Sequence, residues 1–278
     1  TNMIPDNVVR AAADFELIGV IIFSLFFGAF LLALTDDDKK QTMIRFVEAG
    51  GDIMMKMTHF SMSLAPVGIG SLIASMIAIR GPALFLKLIW YLVTVVAALA
   101  AHWVITLPIL VYVLTRRNVF RYYRAMLPAY LTGLSTASSS GTLGVTMERA
   151  ENGAGVSNRV TSFVLPLGAT INMDGTALYE AVAVIFLFQL YGIELATSDV
   201  IIVVITATLA AIGAAGIPSA GLVTMLIVIT AVNTSLAGRG IEPLPLSAIG
   251  VIIGVDRILD MCRTVVNVWG DSVGAKII

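Results

Sequence analysis

Four ionisable side chains, Asp256, Asp260, Arg263 and Asp271, recur within the stretch Gly254-Val-Asp-Arg-Ile-Leu-Asp-Met-Cys-Arg-Thr-Val-Val-Asn-Val-Trp-Gly-Asp271. On a helix, at about 100° per residue, Asp256, Asp260, Arg263, Thr264, Asn267 and Asp271 fall within an arc of roughly 100°, with Arg257 just outside it. An arginine can bind a carboxylate through two parallel hydrogen bonds, and Asp260, almost one turn earlier, can accept an ammonium. That pair suits a zwitterion with an extra acid group, to which Asn267 adds an amide donor and acceptor. A second group suits a hard cation: Asp271, Asp174, the asparagines and unwound carbonyls around residues 168–174 are all oxygen donors. Sodium is the natural candidate, because the sequence offers no thiolate or imidazole cluster. Met173, a soft thioether in the same stretch, reads on its own as a packing residue. Glu180 lies six residues after Asp174 in an apolar run, where burial favours the neutral form of a carboxyl, and it is a candidate proton carrier.

Composition decides where this chemistry sits. Of 278 residues, 58% are hydrophobic and 13% charged, with a mean hydropathy of +0.94, which is too apolar for a water-soluble domain of that length. The net charge of −1 gives no electrostatic case for nucleic acid, and the single Cys262 excludes a disulfide framework and a cysteine metal site. His59 and His102 lie far apart with no ligand spacing and read as packed or interfacial. The opening Thr1-Asn-Met-Ile-Pro and the end at Ile278 lead us to expect part of a longer polypeptide.

The spans follow from the apolar runs. Residues 17–34 form an uninterrupted run of about one bilayer crossing. Residues 42–57 are amphipathic and suit an interfacial lead-in, continued by a second span over 59–79 with a kink expected at Pro66 and a stop at Arg80-Gly-Pro82. A long third span, 83–114, ends in Thr115-Arg-Arg-Asn-Val-Phe-Arg-Tyr-Tyr-Arg124, an arginine cluster expected on the cytoplasmic side.

Beyond it the apolar segments are interrupted. Residues 125–147 are broken by Ser135-Thr-Ala-Ser-Ser-Ser-Gly-Thr142, residues 160–191 by Asn172-Met-Asp-Gly-Thr176, and residues 201–232 by Gly213-Ala-Ala-Gly-Ile-Pro-Ser-Ala-Gly221. Residues 244–278 carry the charged stripe. An apolar segment with a small, polar midpoint is what a re-entrant hairpin requires, because its tip must be buried in protein or line a cavity. Each half thus reads as a hairpin followed by a spanning helix with Asn-x-x-Gly, a candidate inverted repeat. If the arginine cluster is inside, the hairpins enter from opposite faces and their tips can meet near the midplane. The expected architecture is an all-α membrane protein, a multi-span helical transporter with two re-entrant hairpins. Residues 1–114 would be spanning helices and partly scaffold, and residues 115–278 a transport core.

A charge at the centre of a membrane helix costs roughly 2.5–3.5 kcal/mol on the most lenient scale, so the buried charges must face each other or a ligand and its ions. An ion-pair network without a transport role is the plain alternative, but it would not need broken helices and paired hairpins. A membrane enzyme lacks support: Ser138, Ser139 and Ser140 have no nearby base and read as hydrogen-bonding tip residues. Backbone N–H groups at the hairpin tips offer anion sites at helix N-termini.

Four motifs in order, Thr136-Ala-Ser-Ser-Ser-Gly-Thr-Leu143, Leu165-Pro-Leu-Gly-Ala-Thr-Ile-Asn-Met-Asp-Gly-Thr-Ala-Leu-Tyr179, Ile212-Gly-Ala-Ala-Gly-Ile-Pro-Ser-Ala-Gly221 and Asp260-Met-Cys-Arg-Thr-Val-Val-Asn-Val-Trp-Gly-Asp271, resemble the dicarboxylate/amino acid:cation symporter family. The resemblance covers essentially the whole chain, starting near that family's fourth span. It implies sodium-coupled import of glutamate or aspartate by alternating access, without an enzymatic cofactor, by a homotrimer in the cell membrane. It further implies that Arg263 binds the substrate's side-chain carboxylate beside Thr176 and the backbone at Gly221, and that Asp260 holds the amino group with a carbonyl from Ile217. Asn267 and the backbone at Ser139 would hold the α-carboxylate, with Ser138, Ser140 and Thr264 completing the site. One sodium site would use carbonyls of Gly168, Asn172 and Asn267 with Asp271, a second the carbonyls near Thr170 and Met173, and a third Asp174 with Asn172 and a missing span.

Departures from the family's patterns bear on specificity. Archaeal members carry an arginine where this chain has Ala137. Neutral amino acid members lack the counterpart of Arg263, and C4-dicarboxylate members lack that of Asp260, so the resemblance favours an acidic amino acid. Glu180 stands where proton-coupled members have glutamate. The alternatives are a C4-dicarboxylate or other amino acid symporter of the same family, and a substrate-gated anion channel.

Overall fold

The computed structural model describes residues 6–13, 17–81 and 83–278, which are helical and contain no strand. Thr1–Pro5 and Pro82 therefore lie outside the described residues, as does the His59 side chain. The chain divides into two units, residues 1–66 and 67–278.

In the first unit, α1 (Val8–Ala13) packs against α2 (Leu17–Leu32). Helix α2 carries no charge, yet its 16 residues make about 24 Å, less than the roughly 30 Å of a hydrocarbon core and shorter than the crossing expected over 17–34. Asp36 then caps the next helix, accepting the Lys39 N–H at 3.2 Å, and Asp37 and Asp38 sit in its first turn, where the helix dipole favours acids. That helix, α3 (Asp37–Arg80), is 44 residues long with Pro66 inside it, and its residues from Val67 on belong to the second unit. The expected lead-in and second span are one helix, and the proline costs a single intrahelical N–H without ending it.

The second unit holds every residue of the charged stripe. Beyond the end of α3 it continues with α4 (Ala83–Ala101), a π-helical turn at His102–Thr106, and α5 (Leu107–Thr115). Together these make the long third span. Next, α6 (Val119–Thr136) is capped by Asn118, which accepts the Arg121 N–H at 3.0 Å, and ends where Ala137 turns left-handed at φ 51°. Ser138 immediately caps α7 (Ser139–Glu148), its Oγ accepting the Gly141 N–H at 3.0 Å. Two opposite helix ends meet within two residues, which is why the serine-rich stretch forms a tip.

The broken segment folds as α8 (Asn158–Ile171) and α9 (Asp174–Leu190), separated at Asn172 and Met173. The second hairpin follows as α10 (Thr197–Ile212) and α11 (Ala220–Ala237), joined by residues 213–219. Its feet are tied by buried Asp199, which accepts the Ala196 N–H at 2.8 Å and the Ser235 hydroxyl at 3.0 Å and pairs with Arg239. The last helix, α12 (Gly250–Ile277), is unbroken, so the second Asn-x-x-Gly does not interrupt its helix as the first does.

Helix α12 is the hub, touching α4 to α9. Trp269 anchors it, stacked among Tyr122, Tyr123 and Tyr130 at centroid distances of 5.5–5.7 Å, with its indole N–H donated to the Trp103 carbonyl at 3.2 Å. Among the described residues, three helical stretches, 84–115, 158–190 and 220–237, are long and apolar enough to cross a membrane.

Candidate functional site

The two Asn-x-x-Gly motifs cross each other where α9 starts against the middle of α12. The Gly175 N–H donates to Asn267 Oδ1 at 2.8 Å, and Gly270 faces Asn172 and Asp174. A Cβ at Gly175 would stand 2.6 Å from the Arg263 carbonyl oxygen, and one at Gly270 would stand 2.6 Å from Asn172 Nδ2. Only glycine lets the helices approach so closely. The repeat seen in the sequence is thus a mutual contact, and it sets the substrate-type residues on one side of the crossing and the cation-type residues on the other.

On the first side, Arg263 is buried at 2% exposure and lies over the Tyr179 ring, with Cζ 4.4 Å from the centroid. Its Nε donates to Asp260 Oδ1 at 2.9 Å and its Nη1 to Asp256 Oδ1 at 3.2 Å. Nη2 lies 2.7 Å from Asp260 Oδ1 but makes no hydrogen bond. The guanidinium packs against the α-carbon of Gly221 in the second hairpin. Asp256, for which the sequence suggested no role, also accepts the Tyr179 hydroxyl at 2.8 Å. Asp256, Asp260 and Arg263 of the stripe therefore form an internal ion-pair cluster, in which Nη2 is paired but outside hydrogen-bond geometry.

The hairpin tips close over this cluster. Gly216 O accepts the Ser138 hydroxyl at 2.6 Å and the Ser140 N–H at 3.2 Å, joining tip to tip. From the second tip, the Ser219 N–H donates to Asp260 Oδ2 at 2.8 Å, with Ser219 itself left-handed at φ 61°. A cavity of about 10 Å³ remains, lined by Ser139, Thr176, Ile217, Asp260, Thr264 and Asn267 among others. That is room for one water. Ser139 faces this space, whereas Ser138 and Ser140 are used in the tip contact. Asn267 Nδ2 donates to Thr176 Oγ1 at 3.1 Å and lies 3.2 Å from Met173 Sδ, so its amide is fully engaged.

On the other side, buried Asp271 lies against the α-carbon of Gly168 and accepts the Asn172 amide at 3.1 Å. No basic side chain pairs with it among the described residues. A buried carboxylate whose partners are an amide and the carbonyl-bearing end of a helix fits a cation. Asp174 lies next to Asn172, but its Oδ2 is 2.9 Å from His102 Nε2. The Thr170 side chain is turned back to the Leu167 carbonyl at 2.9 Å, so only its backbone is free to serve an ion. Glu180 is fully buried within electrostatic reach of Arg263; one carboxylate oxygen accepts the Thr224 hydroxyl of α11, and Oε2 has no hydrogen-bond partner.

Sequence reasoning missed His102, Tyr179 and Thr224. Tyr179 and Thr224 are single polar groups in apolar runs, and the π-helical turn that carries His102 has no sequence signature.

Sequence comparison places this geometry in a known group. The sequence pattern of the sodium:dicarboxylate symporter family matches residues 1–278. The chain is 45% identical over 264 residues to Excitatory amino acid transporter 3 of Mus musculus, covering 95% of this chain and 48% of that one. It is 43% identical to Excitatory amino acid transporter of Caenorhabditis elegans over 280 residues, 98% of this chain and 53% of the relative. With Excitatory amino acid transporter 2 of Homo sapiens the identity is 43% over 277 residues, 98% and 46% of the two chains. The chain thus spans about half the length of these relatives. It is an integral membrane protein and belongs to the sodium:dicarboxylate symporter family.

Proposed function

We propose that the full-length protein is a sodium-coupled symporter of acidic amino acids, glutamate or aspartate, that works by alternating access in the cell membrane. The observation that carries this reading is buried Arg263, which lines a small cavity together with Asp260 and the second hairpin tip and keeps one guanidinium nitrogen, Nη2, paired with Asp260 at 2.7 Å but outside hydrogen-bond geometry. A carboxylate side chain answers that nitrogen, beside Thr176 and Gly221. The substrate ammonium takes the Asp260 oxygen that now accepts the Ser219 N–H, helped by the Ile217 carbonyl. The α-carboxylate takes the Asn267 amide hydrogen now given to Thr176, together with the backbone at Ser139 and the first tip of Ser138 and Ser140, beside Thr264. This is transport chemistry: the side chains bind and release, and none is arranged as a nucleophile with a base.

With about 10 Å³ available, an amino acid enters only when residues 213–219 move. The second hairpin is therefore the gate, and we take both hairpins as re-entrant. Sodium is held by Asp271 with carbonyls of Gly168, Asn172 and Asn267, by carbonyls near Thr170 and Met173, and by Asp174 with Asn172. Glu180 carries a proton. Residues 115–278 form the moving core; α4 and α5 pack on α12 and travel with it. Coupling follows from linkage: a cation at the α9–α12 crossing favours the arrangement of Asn267 and the tips that binds substrate, and substrate strengthens cation binding by the same factor. The assembly is a homotrimer.

The test is radiolabelled aspartate and glutamate uptake by the full-length protein in proteoliposomes. An inward sodium gradient should drive accumulation, and external substrate should exchange with labelled internal substrate. Sodium-independent uptake, or substrate flux without exchange as through a channel, overturns the proposal.

A further inference from the structure

At the end of the fold that carries the arginine cluster, a polar cavity of about 590 Å³ opens between the start of α6, the loop after α7 and the last turn of α12. Its wall includes Arg117, Arg121 and Lys276 and contains no carboxylate. The Arg117 and Arg121 side chains form no ion pair or hydrogen bond among the described residues. Two neighbouring cations are already occupied: Arg149 donates to the Ala125 carbonyl at 3.2 Å, and Arg116 lies 6.0 Å from the Tyr112 ring.

Lys276 is held in place. Its Nζ donates to the Ala154 carbonyl at 2.9 Å and sits 5.3 Å from the Tyr122 ring, while the Tyr122 hydroxyl is donated to the Ser272 carbonyl at 2.5 Å. An ammonium has three N–H bonds, so two remain for a ligand. The Arg117 charge is felt at Lys276, like against like. Three cations around one cavity without an acid repel each other, and an anion with several oxygens relieves that repulsion. Two guanidinium forks and an ammonium match the oxygens of a phosphate, which carries enough charge to offset most of the three. The position also fits, because Arg117 and Arg121 directly follow the apolar stretch 84–115, where a spanning helix leaves the membrane and lipid headgroups begin.

We propose that the cavity lined by Arg117, Arg121 and Lys276 binds a phosphate dianion, presented either as free inorganic phosphate or as the phosphomonoester headgroup of a membrane lipid.

The full-length protein, purified in detergent, should be titrated with inorganic phosphate by calorimetry and with dioleoyl phosphatidic acid by native mass spectrometry. Sodium chloride and dioleoyl phosphatidylcholine serve as controls. At least one phosphate probe should bind saturably where its control does not. Binding of phosphate alone identifies the free anion as the source, binding of phosphatidic acid alone identifies the lipid, and either supports the site. Arg121→Gln and Lys276→Gln should each weaken binding roughly tenfold, the loss of one charge-assisted contact, while Lys276→Arg retains it. Arg121 is exposed and its side chain is unpaired, so Arg121→Gln keeps the fold if Lys276→Gln does not. Failure of both probes to bind, or undiminished binding by Arg121→Gln, overturns the proposal.

Discussion

Tyr179 of α9 donates its hydroxyl to Asp256 of α12 at 2.8 Å, and the same carboxylate oxygen accepts Nη1 of Arg263 at 3.2 Å. The tyrosine therefore holds the arginine twice, through its ring face and through the aspartate. Removing one partner from a buried charge cluster costs about 3–5 kcal/mol, while losing a hydrogen bond to a charged group costs about 1.5–3 kcal/mol. Tyr179→Phe keeps the ring and loses only the hydroxyl. It should weaken binding of acidic amino acids about tenfold or more, with a larger loss for Asp256→Ala. Equilibrium binding to the purified protein checks this; Tyr179→Phe binding like the wild type would detach Asp256 from the positioning of Arg263.

Arg263 itself sets the substrate charge in the proposed site. Arg263→Cys should abolish glutamate and aspartate uptake while neutral amino acids still bind, because the cavity keeps Asp260 for the ammonium and loses only the carboxylate partner. Competition with labelled serine separates this from unfolding. Unchanged acidic uptake would sink the assignment.

The elements were legible wherever a local rule determines them. The small, polar stretches 135–142 and 213–221 mark both tips, which the structure narrows to residues 137–138 and 213–219, with Ser138 capping the helix that follows. In residues 42–79 the charge pattern separates an amphipathic lead-in at 42–57 from an apolar span at 59–79, but a change of polarity along a helix is not a break in it, and α3 runs through both and includes Pro66. The site was half legible. Asp260, Arg263 and Asn267 share a face by periodicity alone, but their partners Tyr179 and Ser219 are supplied by helix α9 and by the second hairpin tip, and such pairing is a tertiary fact. Asp256 remained without a role for that reason. The π-helical turn that carries His102 beside Asp174 obeys no periodicity available from the sequence.

The glycine at the crossing can be tested directly. In Gly175→Ala the new methyl would stand 2.6 Å from the Arg263 carbonyl oxygen, a backbone atom that cannot rotate away. Overpacking of this kind costs typically 1–3 kcal/mol. The variant should unfold several degrees below the wild type in detergent, and substrate and sodium affinities should fall together because both groups hang on this contact. Loss of one affinity without the other would separate the two halves of the site.

Asp271 lacks a basic partner among the described residues, so a cation is its natural counter-charge. Asp271→Asn keeps the shape and the Asn172 neighbour and removes the charge. The sodium concentration needed for half-maximal aspartate binding should rise about tenfold or more, with the limiting affinity at saturating sodium changed less. A sodium titration that does not move would place the ion elsewhere.

Glu180 lies beneath the second hairpin and is joined to it through Thr224, one turn beyond Gly221 at the substrate end of α11. A protonated Glu180 is a neutral group inside the protein; an ionised one is a buried charge with one unsatisfied oxygen, which favours any arrangement of the hairpin that lets water or a cation reach it. Loading the proton and closing the hairpin are then the same equilibrium viewed from two sides. Glu180→Gln fixes the neutral form. It should remove the pH dependence of net uptake while sodium-dependent exchange continues, and Thr224→Val should shift that dependence without abolishing it, since the carboxyl remains. Uptake measured from pH 5.5 to 9 in proteoliposomes distinguishes these cases. A pH profile that survives intact in Glu180→Gln would assign the coupled proton to a different group.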